Sequence, residues 1–175
     1  MIEPQEIKDI AKTYADANIR FRAFLKNRAK ADELDRHFRD LHNEMFIRDA
    51  YDCCSCANCC KHYFIRIEQD DVSPIAEFLG QSDSDFVERY LVRDTGETGV
   101  FVINAQPCPF LDTEGKCCIY EVRPLVCRDF PHTNKANRLF SLTGILGFAE
   151  DCPVVFEILE RLKKIYGRLD KEVAQ

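Results

Sequence analysis

The sequence predicts a mainly α-helical protein with small β elements, an α+β fold in which a cysteine-rich, metal-centred domain follows an N-terminal helical extension. Residues 5–50 contain neither glycine nor proline and carry apolar side chains at helical spacing. Ten cysteines lie between residues 53 and 152, mainly in segments without a helical pattern. Two short stretches, 62–69 and 100–104, read as strands. These observations together favour helices around a thiol-rich core of irregular backbone.

The N-terminal extension carries two apolar seams with steps of three and four residues, a pattern typical of helices. The first seam is Ile7, Ile10, Tyr14, Ala17, Phe21 and Phe24, and the second is Leu34, Phe38, Leu41 and Met45. The phase changes near residues 28–30, which predicts either a kinked helix or two helices. We expect both seams to be core, with dimerisation through these helices as the alternative, because either half alone is marginal. The predicted domains are 1–50 and 51–175, in a monomer or a dimer.

Turn and cap signals place the later helices. The Ser73-Pro74 pair predicts the cap and first residue of one helix, and Ser82 or Ser84 predicts the cap of the next. Pro153 opens a final helix with apolar positions at helical spacing. The cysteines are therefore expected mainly in loops between helices.

Composition excludes several classes of function. The 24 basic and 30 acidic residues give a net charge of −6, and no basic stretch predicts nucleic-acid binding. No apolar run approaches the length of a membrane span. The acidic N-terminus lacks the features of a signal peptide, so we expect a cytoplasmic protein. In that reducing compartment, clustered thiols are more often metal ligands or catalytic groups than disulfides.

The first cysteine group has the spacing CxxCxxCC, at Cys53, Cys56, Cys59 and Cys60. Two consecutive gaps of two residues resemble the run that wraps a corner of an iron–sulfur cube, whereas zinc sites usually take one CxxC pair from each of two segments. The spacing therefore favours an iron–sulfur cluster but does not exclude zinc. In an extended backbone Cys59 and Cys60 would point to opposite faces, so they would serve two sites or one would lie outside the ligand shell.

The second group has long gaps, so the fold must bring its thiols together. It comprises Cys108, Cys117, Cys127 and Cys152, with Cys118 as a rival to Cys117. Two further thiols, Cys54 and Cys118, break the spacing and are interpreted as ordinary small apolar side chains. Eight ligands suffice for one four-iron cluster plus one zinc, for two zincs or for two clusters. We expect the two groups to act jointly and to clamp the loop after the N-terminal helices to the segment before the last helix.

Several motifs occur in the order of a known family. CANCC with its preceding cysteine, CPFLDTEGKC, IYEVRPLVCRDFP and a late CP resemble the CxxCxxCC domain of YkgJ-like cysteine-cluster proteins, over about residues 50–155. Members are described as zinc- or iron-chelating and are sometimes labelled Fe–S oxidoreductases. The resemblance implies the metal ligands Cys53, Cys56, Cys59, Cys60, Cys108, Cys117, Cys127 and Cys152. A similar domain in flagellin lysine methylases is associated with an iron–sulfur cluster, but no methyl-donor domain or glycine-rich motif is recognised here.

Polar residues near the second group are candidates for the surroundings of the metal. Arg123 and Arg128 flank Cys127 and could offset thiolate charge, or they could pair with neighbouring acidic residues as scaffold. Tyr120 is expected to be core with a hydrogen-bonded hydroxyl, adjacent to the site. No catalytic residue can be named.

The four histidines are weaker candidates. His62 and His132 closely follow cysteine segments, and either could replace a thiolate in a three-Cys, one-His zinc site. The number of cysteines makes this unnecessary, so we favour surface or supporting roles. His37 and His42 lie on the N-terminal helices and are expected to face solvent.

The predicted function is metal binding, with a [4Fe–4S] cluster favoured and zinc as an alternative or additional ion. Such a centre would serve electron transfer or a redox or protein-modification reaction with a protein or redox partner. An enzyme of this kind would be an Fe–S-dependent oxidoreductase or an accessory to a protein-modifying enzyme. The alternative is a structural zinc-binding module that mediates protein interaction without catalysis.

Overall fold

The computed structural model describes residues 2–173, with side chains up to residue 167. The chain forms two compact units. The helical unit contains the residues up to Asp52 and those from Pro131 onward, and the cysteine unit is Cys53–Phe130. The C-terminal helices thus group with the N-terminal ones. The division into domains 1–50 and 51–175 stays a prediction, since compactness does not test which segments fold independently.

The architecture is α+β, as predicted, with helices dominating. The helical unit contains α1 (Ile7–Arg28), α2 (Ala31–Asn43) and a π-helical turn (Glu44–Arg48). The cysteine unit contains α3 (Cys53–Cys56), α4 (Asn58–His62), β1 (Arg66–Glu68), α5 (Gln69–Phe78), α6 (Asp83–Tyr90), β2 (Leu91–Arg93), β3 (Val100–Ile103), a 3₁₀ turn (Tyr120–Val122) and α7 (Leu125–Asp129). The chain then returns to the helical unit with α8 (Arg138–Phe148) and α9 (Pro153–Val173).

The phase break in the N-terminal pattern separates two helices. α1 and α2 are divided by Ala29 and Lys30, whose backbones are extended at ψ 139° and 135°. The second seam is buried at all four predicted positions. The first seam is rotated from its prediction, because Ala11 and Asn18 are buried while Tyr14 is 39% exposed. The amphipathic pattern therefore located the helix but not the centre of its buried face.

Aromatic contacts set the directions of the long helices within the helical unit. Tyr14 of α1 packs edge-on against Phe156 of α9 at 5.2 Å between ring centroids, and Phe21 contacts Tyr166 at 6.2 Å. Residue numbers increase together along the two helices, so α1 and α9 run parallel. His37 of α2 packs against Tyr166 at 5.5 Å.

The N-terminus of α8 is capped by a carboxylate from a different helix. Oδ2 of Asp35, on α2, accepts a hydrogen bond from the backbone N–H of Asn137, and Oδ1 accepts one from that of Arg138, both at 2.8 Å. Asn137, the residue at the cap position, makes no side-chain cap bond of its own. Asp35 therefore satisfies two amides at the start of α8 and joins α2 to α8.

A three-stranded antiparallel sheet with the order β1-β3-β2 organises part of the cysteine unit. The predicted strand at 100–104 is confirmed as β3, whereas only three residues of 62–69 form β1. In the register, Ile67 pairs with Phe101 and Leu91 with Ile103.

Two helices of the cysteine unit test the predicted caps. The prediction for Ser73 and Pro74 is wrong, because the first residue of α5 is Gln69, five residues before Pro74, and Pro74 lies inside the helix. A reciprocal capping box between Glu68 and Asp71 forms the true start. The Ser82 cap of α6 is confirmed, since Oγ of Ser82 accepts the N–H of Asp85 at 3.2 Å.

An apolar core lies between the sheet and α5 and α6. Its members are Ile67, Val72, Ile75, Ala76, Phe86, Leu91, Phe101, Ile103, Phe110 and Ile119. The partly buried Cys108 and Cys117 pack against this core. The core therefore supports one side of the thiol cluster. In the part of the chain that the structure describes, no helix combines the length and apolar character needed to cross a bilayer.

Candidate metal centre

The CxxCxxCC segment folds as two short helices joined by a left-handed residue. Ala57 lies between α3 and α4 with φ 54° and ψ 12°, and it is almost fully buried. An L-residue with a Cβ pays roughly 1–2 kcal/mol for this conformation. The strain is stored in the middle of the cysteine run, where it redirects the chain between the two helices. An alanine gives no sequence signal for such a turn.

The adjacent thiols Cys59 and Cys60 lie side by side. Their Sγ atoms are 4.0 Å apart and share a hydrogen bond. The expectation that these side chains point apart is wrong, because it assumed an extended backbone and residues 58–62 are helical. The pair can therefore face one common centre.

The second cysteine segment is fastened directly to the first. The backbone N–H of Cys108 donates to the carbonyl of Cys60 at 2.8 Å. An isolated bridge then pairs Leu111 with Cys117, which folds the intervening residues into a hairpin-like loop. Gly115 takes φ 84° at the turn of this loop, where a left-handed backbone favours glycine. The segment thus returns Cys117 to the neighbourhood of Cys108.

α7 brings Cys127 to the same region. A side-chain oxygen of Asp71, on α5, accepts the backbone N–H of Leu125 at 3.1 Å and so holds the first residue of α7. The N–H of Cys127 bonds to the carbonyl of Pro124 at 2.9 Å. The same carboxylate that caps α5 therefore also positions the helix that carries Cys127.

The backbone bond from Cys108 to Cys60 and the electrostatic interactions among the thiols both indicate that the two groups approach each other at Cys60. Cys60 interacts with Cys108, Cys117 and Cys127, and Cys59 interacts with Cys53 and Cys127. These three distant thiols therefore lie near the local group, whereas the joint binding of a metal by the two groups stays a prediction. Cys152 is buried immediately before α9 in the helical unit, and its membership of the ligand set stays a prediction.

Cys60 is the thiol best prepared to ionise. The hydrogen bond donated by the Cys59 thiol lowers the pKa of Cys60 to about 7, against the opposing effect of burial. The positive charges of Arg123 and Lys61 add to the lowering. The same hydrogen bond raises the pKa of Cys59, so Cys60 loses its proton before Cys59 does.

The remaining thiols of the cluster resist ionisation without a cation. Burial raises the pKa of Cys108 to about 11 and that of Cys127 to about 12, and it also raises the pKa of Cys117. Neighbouring thiolates raise all three further. A metal cation would reverse both effects, since it supplies the missing positive charge and replaces the protons.

Arg123 is the arginine whose positive charge acts on several thiols of this cluster. It lowers the thiol pKa of Cys60, Cys117 and Cys127. Its Cζ lies 3.5 Å from the centroid of the Tyr120 ring, and its Nε donates to the Tyr120 carbonyl at 3.0 Å. Arg128, the other predicted arginine, is exposed near the end of α7. Tyr120 is 44% exposed rather than core, and it orients Arg123 with its ring face and its carbonyl.

The donor chemistry fits zinc or iron, because thiolates are the ligands that both structural zinc and iron–sulfur clusters prefer. Within the described residues, however, no three His, Cys, Asp or Glu side chains are already arranged around the position of a single ion. The thiols are gathered in one region of the cysteine unit, and closing around an ion requires side-chain rotation.

The predictions for the histidines have different outcomes. His62 is exposed, in agreement with a surface role. The expectation that His37 and His42 face solvent is wrong, since both are half-buried. Nδ1 of His42 lies 2.8 Å from Oγ1 of the fully buried Thr133, and burial lowers the pKa of His42. His132 belongs to the helical unit and has a positive φ of 61°.

Comparisons with known proteins agree with the donor chemistry. A sequence profile described as "Putative zinc- or iron-chelating domain", CxxCxxCC, matches residues 52–153. An uncharacterized protein of Methanocaldococcus jannaschii is 32% identical over 105 residues, which cover 59% of this chain and 57% of the relative. The chain thus spans little more than half the length of that relative. No solved structure matches. Because the matched profile spans more than half of the chain, the protein belongs to the CxxCxxCC family of zinc- or iron-chelating domains.

Proposed function

We propose that the cysteine unit holds a metal centre, with a [4Fe–4S] cluster favoured and zinc as the alternative or additional ion. The observation that carries the proposal is the convergence of Cys108, Cys117 and Cys127 on Cys60. Burial raises the pKa of Cys108 and Cys127, so these thiols would become thiolates together only with a cation beside them. The proposed ligands within this unit are Cys53, Cys56, Cys59, Cys60, Cys108, Cys117 and Cys127. Cys152, outside this unit, is added only by the family resemblance.

Residues around the thiols would tune the centre. Arg123 offsets thiolate charge, and its stacking on Tyr120 fixes the guanidinium in place. The backbone N–H groups of Phe110 and Ile119 stabilise the thiolates of Cys108 and Cys117. Both effects lower the proton affinity of the ligands before an ion arrives. A bound cluster would supply a one-electron couple, and zinc would supply structural cross-linking alone.

The role we favour is electron transfer, or support of a redox or protein-modification reaction, with a protein or redox partner. The half-exposed Cys60 and Cys117 and the exposed ring of Tyr120 support this role, since electron exchange needs a centre that a partner can approach. A structural zinc module is the alternative. It is favoured by the absence of a ready three-ligand site in the described residues, as expected where the ion itself orders the ligands.

Anaerobic purification followed by elemental analysis and visible absorption tests the metal. We expect iron and acid-labile sulfide, with a broad visible band that bleaches on reduction by dithionite. Zinc without colour would favour the structural module. A reduced and soluble chain with neither metal would contradict metal binding altogether.

A matched pair of variants tests the site. Cys127→Ser should abolish stoichiometric metal binding, because Cys127 is enclosed within the thiol cluster. The exposed Cys118→Ser should retain it. Equal metal content in the two variants would contradict the proposed centre.

The electrostatic role of Arg123 has its own test. Removing the guanidinium in Arg123→Gln raises the thiol pKa values, so protons compete longer and half-maximal Co²⁺ or zinc loading should shift to higher pH by about 0.5–1 unit. Arg128→Gln, at an exposed position, is the control and should leave the profile in place. Coincident profiles for wild type and Arg123→Gln would remove Arg123 from the centre.

A further inference from the structure

We propose that the exposed face of α8 is a surface through which two copies of this chain associate. The face is defined by Phe140, Thr143, Gly144 and Gly147, which are all exposed and lie on one side of the helix, three, four and seven residues after the first of them. The opposite side of α8 is buried, as at Leu142. This surface belongs to the helical unit and does not involve the metal centre.

A large aromatic ring stands at one end of this face. Phe140 is 76% exposed, and Nζ of Lys26, on α1, lies 5.4 Å from the centroid of its ring. Ile19, which is 61% exposed, lies two turns before Lys26 on the same side of α1. Covering these apolar side chains with a second surface removes them from water and therefore favours association.

The two glycines of the face are not explained by packing within the chain. Neither Gly144 nor Gly147 has a positive φ, since both lie in the regular helix α8. A Cβ added at either position would meet no heavy atom of the described residues within 4 Å. Alanine would therefore fit at both positions, and it stabilises a helix more than glycine does. The missing side chains instead leave room for another surface to approach the backbone of α8.

The face is complementary in shape to a second copy of itself. Phe140 lies three residues before Thr143, and Gly147 lies three residues after Gly144. In an antiparallel pair of α8 helices with a two-fold axis between positions 143 and 144, the Phe140 ring of each copy falls opposite Gly147 of the other. The ring would fill the space that the glycine leaves, and the symmetry makes this contact twice.

The charges beside the face favour the same arrangement. Lys26 lies at the end of the face that carries Phe140. The exposed Glu150 follows Gly147 by three residues, at the opposite end. An antiparallel pairing brings Lys26 of each copy toward Glu150 of the other, whereas a parallel pairing would bring like charges together. Because such charges fix the register of an interface, they select a second copy in the antiparallel orientation.

The expected dimer is weak. The face is small, and the net charge of −6 on each copy opposes association. We expect a Kd on the order of 10–100 µM at about 0.15 M salt, where long-range repulsion is screened. Dilute protein is then monomeric, so removing the Phe140 ring changes self-association and leaves the stability of the dilute chain unchanged.

Sedimentation velocity of the full chain over a concentration series from about 1 µM to about 500 µM tests the dimer, since this range brackets the expected Kd. We expect the average mass to rise toward that of two chains. Phe140→Ala should raise the Kd by about tenfold or more. Ile47→Ala, at a side chain that is 77% exposed on the π-helical turn, is the control and should stay within about twofold of wild type. A wild type that stays monomeric throughout, or equal effects of the two variants, would overturn the proposal.

Charge reversal tests the orientation. Lys26→Glu and Glu150→Lys should each raise the Kd by about fivefold, and the double variant should return it to within about twofold of wild type. Gly147→Leu should block the approach of the Phe140 ring, while thermal melting shows α8 to be at least as stable, so that lost association is not mistaken for unfolding. If the double variant stays as weak as the single ones, or if Gly147→Leu associates like wild type, the face of α8 is not the interface.

Discussion

The two units of the chain are held together in different ways. The helical unit has long helices, 22 residues in α1 and 21 in α9, and buries large apolar side chains such as Phe38 completely. The cysteine unit uses elements of three to ten residues, and its apolar core and packed neighbours come from residues 65–122. The thiol-bearing helices α3, α4 and α7 fall outside that range. Apolar periodicity thus organises one unit, whereas in the other the helices that carry Cys53, Cys60 and Cys127 lie outside the apolar core and only Cys108 and Cys117 pack against it.

Among the tests of this difference between the two units, removing the metal should have the largest effect. Ordering energy for α3, α4 and α7 would come chiefly from the ion, since metal binding contributes directly to folding free energy. We expect hydrogen exchange of residues 53–62 and 108–129 to accelerate by orders of magnitude after complete chelation, while α2 amides change little. Equal protection of the thiol segments with and without metal would show that the cysteine unit needs no ion.

A cavity created in the helical unit tests whether apolar packing stabilises that unit. Phe38→Ala removes a fully buried ring and should lower the free energy of unfolding by about 3–5 kcal/mol. Phe140→Ala, at a side chain that is 76% exposed on α8, is the control and should stay within about 0.5 kcal/mol of wild type. Chemical denaturation measures both, and metal content should be unchanged in Phe140→Ala. Equal destabilisation by the two variants would contradict the placement of the core.

α1, α2 and α9 of the helical unit were predicted from the sequence because their signals are local, whereas α8 was not predicted. The apolar seams of α1 and α2, the phase change between them and the proline that starts α9 are all recognised from residues a few positions apart. The predictions that failed have two causes, tertiary burial that the residue pattern does not show and competition between neighbouring cap signals. The rotated face of α1 could not be read, because Asn18 is buried despite its polarity. The start of α5 was misplaced because Ser73-Pro74 is a common cap signal, whereas the acidic pair of Glu68 and Asp71 formed the actual cap.

At the metal centre, the sequence predicted the set of thiols but not their arrangement. The relation between Cys59 and Cys60 depended on whether residues 58–62 are helical, and a short helix after a left-handed alanine has no recognisable pattern. The preference for Arg123 over Arg128 likewise required the fold, because Arg128 is the immediate neighbour of Cys127 while Arg123 lies four residues before it. The ligand set itself stays a prediction.

Removing the cap that Asp35 of α2 provides for α8 should have a smaller effect on stability. Asp35→Ala removes the acceptor of two backbone amides at the start of α8 and should lower the free energy of unfolding by about 1–2 kcal/mol. Asp40→Ala, at an exposed position on the same helix, is the control and should change stability by less than about 0.5 kcal/mol. Hydrogen exchange at Asn137 and Arg138 should rise only in Asp35→Ala. If both variants behave alike, the Asp35 carboxylate does not stabilise α8.

The smallest expected effect concerns a buried hydroxyl in the helical unit. Tyr166 is 5% exposed and packs against rings from α1 and α2. Among the residues that the structure describes, its hydroxyl has no hydrogen-bond partner. Burying an unpaired hydroxyl costs free energy, so Tyr166→Phe should raise the free energy of unfolding by up to about 1 kcal/mol at neutral pH. Tyr14→Phe, at a partly exposed ring, should change it little.

The pH dependence of the same variant gives the sharper test. Burial, followed by the negative charge of Glu33, raises the pKa of Tyr166 to about 12 in the folded state, against 10 for an ordinary tyrosine. The folded state therefore binds this proton more tightly than the unfolded state. The resulting stability is fully present below pH 10 and is lost as the pH rises toward 12. Wild type should lose more stability than Tyr166→Phe over this interval, because only the wild type must bury or expel a phenolate. Parallel denaturation curves for the two proteins from pH 9 to 12 would place the Tyr166 hydroxyl in water instead of inside the helical unit.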